Sequence, residues 1–127
     1  MHLNQLSSKI IGAAIEVHRT IGPGLLESAY EECLCHELMF RRLNFERQKP
    51  LPVQYKDVQL DCGYRLDILI EEQIIVELKS CENIEPIHKA QLLTYLRLAN
   101  LNLGLLLNFN VPVMKDGIVR IVNEFKE

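Results

Sequence analysis

The 127-residue sequence has no tryptophan and only four tyrosines and four phenylalanines. An aromatic platform for stacking single strands is therefore not expected. Long apolar runs are missing too. A bilayer-crossing helix needs roughly 18–20 apolar residues, and the longest candidates, around Ile10–Ile15 and Leu101–Leu107, are short and interrupted by Gly, Asn or polar residues. The opening Met-His-Leu-Asn-Gln-Leu-Ser-Ser-Lys has no basic stretch leading into an apolar segment. No signal peptide is expected, and a soluble cytoplasmic protein away from membranes is. Basic charge is not in excess, since the net charge is −3. A protein that coats nucleic acid nonspecifically shows a basic surface, so any such contact here must rest on a local patch or a metal and be salt-sensitive. Cys33, Cys35, Cys62 and Cys81 form no C-x-x-C pair. Zinc-site spacing is absent, and buried or incidental thiols in a reducing compartment are expected. Linkers, repeats and low-complexity tracts are lacking as well. With 48% hydrophobic and 24% charged residues, a single globular domain over residues 1–127 is expected.

Hydrophobic spacing sets out the elements. Ile10, Ile11, Ala14, Ile15 and His18 recur at helical intervals, with Asn4, Ser7 or Ser8 as candidate caps. Gly22-Pro23-Gly24 breaks the chain before a second helix from about Leu25 to Arg42, with Leu26, Tyr30, Leu34 and Leu38 apolar and Arg41 and Arg42 in its last turn. These glycines lack a following Lys-Ser/Thr, so they suit a tight turn rather than a phosphate loop. Phe45 to Tyr55 is extended, and its prolines mark an edge or bent strand. Lys56-Asp57 turns it into Val58–Leu60. Tyr64–Ile70 and Ile74–Ser80 are stronger strands, joined by Glu71-Glu72-Gln73. Pro86 opens a helix to about Ala99, Leu103–Phe109 fits a buried strand, and Lys115-Asp116-Gly117 turns into a last strand, Ile118–Val122. The expected class is α/β (α+β mixed sheet), with helices packed on a central mixed sheet.

Strand alternation puts Leu66, Ile68 and Ile70 on one face, and Ile74, Val76 and Leu78 on the matching face, as core. The opposite face carries Arg65 and Asp67 beside Glu77 and Lys79. If Glu71-Glu72-Gln73 is a three-residue loop, Ile70 pairs with Ile74, Asp67 lies across from Glu77, and Arg65 across from Lys79. Such a loop usually wants glycine in a left-handed position, and a two-residue loop would slip the pairing by one. Opposed like charges at Cβ separations of roughly 4.5–5.5 Å are destabilising unless a proton is shared or a cation sits between them. Carboxylates with a main-chain carbonyl suit Mg²⁺ or Mn²⁺, which activate water and polarise phosphoryl oxygens. Lys79 could then orient water or meet negative charge on phosphorus. The other reading is a solvated ion-pair ladder, Arg65 with Glu77 and Lys79 with Asp67. The residues alone leave both open.

Asp67 with Glu77-Leu78-Lys79 resembles the D…(D/E)xK signature of the PD-(D/E)XK nuclease superfamily, with Leu66 where the name has proline. Gly24-Leu-Leu-Glu27-Ser-Ala-Tyr30 resembles the motif that names the GxxExxY proteins within it. Ile15-Glu-Val-His18-Arg-Thr-Ile-Gly22 and His88-Lys-Ala-Gln91-Leu-Leu-Thr-Tyr95-Leu add to the likeness, which runs from about Leu6 to Phe125. The resemblance implies a restriction-endonuclease-like core, αβββαβ. It implies Asp67, Glu77 and the Leu78 carbonyl as ligands of Mg²⁺ or Mn²⁺, joined by Glu27 directly or through bound water, with Lys79 as catalytic lysine. Gln91 and Tyr95 resemble the Q-x-x-x-Y element of RecB-like exonucleases, where the glutamine orders the site. His88, Gln91 and Tyr95 also share one helix face by spacing. His88, Tyr95, Tyr30 and Arg65 are candidate substrate contacts. Tyr30 equally suits packing with a wet hydroxyl, Glu27 a surface helix position, and His18 a bond to a carbonyl. Arg41, Arg42, Arg47 and Lys49 are the one basic cluster, either dipole-complementing or phosphate-binding. The function implied is metal-dependent hydrolysis of nucleic-acid phosphodiesters, DNA first. So small a domain leaves recognition to a homodimer or a targeting partner protein. The alternative is a non-catalytic module binding nucleic acid or protein on the same fold.

Overall fold

The computed structural model describes residues 2–124, so Phe125, where the resemblance ends, lies outside the described residues. Helix α1 spans Leu3–Ile21 and buries Leu6, Ile10, Ala13, Ala14 and Val17, a stripe at helical spacing. It starts earlier than expected. The cap is His2, whose Nδ1 accepts the Asn4 N–H at 3.3 Å, while Ser7 is turned back onto the Asn4 carbonyl. The helix stops at Gly22, whose φ of 71° and ψ of −174° are open only to glycine. His18 holds the Val111 carbonyl through Nε2 at 2.7 Å, as expected of a histidine there. Helix α2 is Glu27–Phe40. Leu26 is its N-cap and 77% exposed rather than a core position, because the left-handed Gly24 turns the chain outward just before it. Arg41 and Arg42 lie beyond the last turn, Arg41 as the C-cap and Arg42 left-handed.

The strands are β1 (Phe45–Pro50), β2 (Val53–Tyr55), β3 (Val58–Leu60), β4 (Arg65–Ile70), β5 (Ile74–Lys79), β6 (Leu103–Asn108) and β7 (Ile118–Val122). Helix α3, Pro86–Ala99, carries the chain from β5 to β6. Five strands make one mixed sheet in the order β1-β4-β5-β6-β7, with β5 and β6 parallel and the other neighbours antiparallel. A parallel pair needs a long crossover, and α3 supplies it. The prolines place β1 on the sheet edge as expected, while β2 and β3 pair separately as a hairpin. The run α2-β1-β4-β5-α3-β6 is the αβββαβ core, with the hairpin inserted and β7 appended. The architecture is that of a restriction-endonuclease-like fold.

Both sheet faces are covered. One core joins α1 and α2 to Ile68, Ile70, Ile74, Val76 and Leu78; the other joins Leu92, Tyr95 and Leu96 of α3 to Leu69, Ile75 and Leu106. Each such aliphatic side chain contributes about 1.5–3 kcal/mol of burial. Leu66 departs from the expected face and packs with Leu51 in the α3-side core. Regular pairing of β4 lapses at Asp67, opposite a left-handed Gln48, so alternation fails there. The residues before β7 form a 3₁₀ turn, Met114–Gly117, instead of a simple loop. A Cβ on Gly117 would lie 2.0 Å from the Asn108 carbonyl oxygen, so only glycine lets this turn close against the end of β6.

Candidate active site

The β4–β5 hairpin has the three-residue loop, with Ile70 opposite Ile74 and Ile68 opposite Val76. No glycine is needed. Glu71 and Glu72 adopt φ of 53° and 55°, and Glu71 is held there by its N–H to the Asn44 carbonyl and by the Asn44 N–H to its Oε2 at 2.7 Å. By count, Asp67 and Glu77 come next. There the ladder ends and side chains take over. The Asp67 N–H donates to Glu77 Oε2 at 2.9 Å, and the Leu78 N–H donates to Asp67 Oδ2 at 2.8 Å. The two acids cap each other's strands. Among the described residues no sealed side-chain oxygen lacks a partner, so Asp67 Oδ1 and Glu77 Oε1, which accept no bond, reach solvent. The N–H and C=O of one strand residue point the same way, so the Leu78 carbonyl faces β4 beyond the ladder's end.

This arrangement disfavours negative charge. Burial, and then the charge of Asp67, pushes the Glu77 carboxyl up to about 8. Burial also raises Asp67, with Glu31 and Glu27 adding to it and the Leu78 amide opposing. Lys79 lowers both, yet neither carboxylate is in an ion pair with Lys79 or Arg65 among the described residues. The expected ion-pair ladder does not form. Arg65 is exposed and reaches only the Gln48 carbonyl, at 3.5 Å.

Glu27, the first residue of α2, is exposed, and its Oε2 accepts the Ser80 N–H at 3.2 Å; Ser80 Oγ in turn donates to the Leu25 carbonyl at 2.7 Å. These bonds pin the start of α2 to the end of β5. Gln91 is exposed on α3, one turn before the buried Tyr95. Tyr95 holds its proton more tightly through burial and then the charge of Glu77, so α3 flanks the pair. His88, half-buried, accepts the Glu85 N–H at Nδ1 at 2.9 Å in a capping box. Tyr30 stands apart from solvent. It is fully buried, stacks on Phe109 at 4.5 Å, donates to the Gly22 carbonyl at 2.6 Å and accepts the Leu25 N–H at 3.2 Å. Its hydroxyl is spent on the main chain rather than wet.

Three residues escaped the sequence reading. Glu31 is buried beside Arg47 and Gln48, accepting Arg47 Nε at 3.0 Å and Gln48 Nε2 at 2.9 Å. Its spacing of four from Glu27 was the available signal. Asn108 braces the chain beyond β5 through the Cys81 amide and carbonyl. Tyr64 lies 6.0 Å from Tyr95. The expected basic cluster is largely neutralised: Arg47 pairs with Glu31 and Glu32, Arg41 with Glu37, and Lys49 with Glu46. The cysteines are free thiols, and burial pushes Cys35 up to about 11, which keeps it unreactive.

The chain matches the family model of the PD-(D/E)XK nuclease superfamily over residues 4–121. It belongs to that superfamily. No curated protein and no solved structure matches it. PD-(D/E)XK nucleases generally depend on a divalent metal. Among the described residues no three His, Cys, Asp or Glu side chains converge as a ready ligand set. One oxygen of Asp67, one of Glu77 and one of Glu27 are each engaged by a main-chain amide. The donor chemistry nevertheless fits a hard cation. All donors are oxygens, and among the described residues neither the half-buried Asp67 nor the buried Glu77 is in an ion pair. No helix among the described residues is long and apolar enough to cross a membrane.

Proposed function

We propose that this PD-(D/E)XK protein is a metal-dependent nuclease hydrolysing phosphodiester bonds, with DNA as substrate, and that it belongs among the GxxExxY proteins. The observation behind this reading is the pair of a half-buried Asp67 and a buried Glu77, with Lys79 two residues on along β5. Two acids that raise each other's proton affinity weaken a fold at neutral pH, whereas a divalent ion between them turns that cost into affinity. Asp67, Glu77 and the Leu78 carbonyl would hold Mg²⁺ or Mn²⁺, with Glu27 closing the set. When bound, such an ion polarises a phosphoryl oxygen and acidifies a water.

The protein's own groups do the rest. The strand amides fix Oδ2 of Asp67 and Oε2 of Glu77, which orients the remaining oxygens. Lys79 Nζ, in no ion pair among the described residues, donates to the attacking water or to the phosphate oxygen on which charge grows. Gln91 and Tyr95 order the α3 side, and His88 and Arg65 contact phosphate. A second subunit or a targeting protein would extend recognition beyond this small surface. The free thiols accord with a cytoplasmic setting.

Cleavage of labelled single-stranded, double-stranded and branched DNA and of RNA tests this, with Mg²⁺ or Mn²⁺ at low salt. The parent is expected to cut, and Asp67→Ala and chelated samples are expected not to. The second reading is a non-catalytic binding module, favoured by the engagement of all three acids in main-chain bonds. Silence on every substrate, with no divalent-ion rise in melting temperature, would select it.

A further inference from the structure

A cleft of about 430 Å³ runs along α3. Tyr64, Tyr95, Val53, Ile87, Gln91 and Thr94 are among its lining residues, and no charged side chain is. Tyr64 is 46% and Ile87 70% exposed, so an aromatic ring and an aliphatic side chain stand open to solvent on the two sides. The Tyr64 ring lies 6.0 Å from that of Tyr95 at an interplanar angle of 60°. The contact is tilted rather than stacked, and with Tyr64 46% exposed part of its ring meets solvent. Gln91 and Tyr95, the two α3 residues of the candidate site, both line the cleft, so cleft and site share one stretch of that helix.

We propose that this cleft receives one nucleobase from an unpaired stretch of the substrate, stacked on Tyr64 and met at its edge by Gln91 and Thr94. The inference rests on the nuclease reading and narrows its substrate to single-stranded or frayed nucleic acid. Three observations select this occupant. The lining is uncharged, which suits a neutral planar heterocycle and offers nothing to a phosphate or a charged peptide. The volume sits at the low end of the roughly 300–1,000 Å³ of small-ligand pockets, enough for a base and too little for a docked helix. Finally, a protein of net charge −3, most of whose expected basic cluster is ion-paired, gains little from backbone attraction. Stacking must then supply affinity. A base within a duplex is covered on both faces, so only an unpaired one can enter.

The test is binding of a labelled oligothymidylate of about 12 nucleotides against an abasic strand of equal length. Anisotropy and tyrosine emission are followed with divalent ions chelated and again with Mg²⁺. With no tryptophan in the chain, quenching of tyrosine emission reads the rings directly. The parent is expected to bind the thymidine strand about tenfold or more tighter than the abasic one, with quenching. Tyr64→Leu should lose that preference and Tyr64→Phe should keep it. Tyr64 is half in solvent, so both variants should fold, which their melting curves will show. Equal binding of the two strands by the parent, or an unchanged preference in Tyr64→Leu, overturns the proposal. So does a dimer in sedimentation that Tyr64→Leu dissolves, which would assign the cleft to a second copy. If the parent cuts nucleic acid with Mg²⁺ but ignores base content, only the cleft assignment falls. If it neither binds nor cuts, the nuclease reading falls with it.

Discussion

Glu77 is 7% exposed and binds its proton up to about pH 8, well above the ordinary carboxylate value of 4.5. A carboxyl that holds its proton more tightly when folded stabilises the fold below its unfolded value and loses that stability as pH rises through the folded value. The metal-free protein should therefore lose on the order of a few kcal/mol between pH 5 and pH 9. Glu77→Gln, whose amide oxygen can still accept the Asp67 N–H, should flatten that slope. Urea melts across the pH range check this, and a parent with no slope would contradict it. Tyr30 gives a second residue-scale prediction. Tyr30→Phe strands the Gly22 carbonyl and the Leu25 amide and should cost about 1–3 kcal/mol in denaturant midpoint with the slope m unchanged. The nearness of Asp67 to Glu77 was legible because a three-residue loop fixes the register of β4 on β5. Their mutual capping was not, because a side chain replacing a ladder bond leaves no trace in spacing.

Element by element, the sequence was most readable where special residues mark ends. Helix α3 runs from Pro86 to Ala99 as expected, since proline suits a first turn and Asn100 tolerates the left-handed stop. The leucine run of β6 likewise reads as a strand buried on both faces. Boundaries set by tertiary contacts were hidden. The His2 cap, the outward Leu26 and the switched face of Leu66 each depend on neighbours distant from any local pattern. The β4–β5 loop shows the same thing, since Asn44 holds Glu71 where glycine was expected. Gly22 offers an element-scale prediction. A Cβ there meets nothing within 4 Å, so the cost of Gly22→Ala is purely the backbone strain of its φ and ψ, about 1–3 kcal/mol. Thermal unfolding should show the loss, and an unchanged melting temperature would contradict it.

For the whole molecule, the mixed sheet with helices on both faces was legible from element order, because a strand–helix–strand passage implies a parallel crossover. The fate of the basic cluster was not. Glu31 and Glu32 of α2 meet Arg47 of β1 only once the helix packs against the sheet edge. That neutralisation leaves little unpaired positive charge in the cluster to meet phosphate, and the proposed function gives that task to a bound cation. Mg²⁺ or Mn²⁺ should accordingly raise the melting temperature at pH 8, and Asp67→Ala should abolish the rise. The most direct test of the proposed catalytic centre is the cleavage rate of Lys79→Met beside the parent with Mn²⁺. Among the described residues Lys79 is in no ion pair, so Lys79→Met keeps the apolar stem and removes only a charge that acts on Asp67 and Glu77 from a distance. The expected result is a folded variant with a cooperative melt and a rate lowered by roughly a hundredfold or more. Equal rates in a folded variant would contradict the assignment.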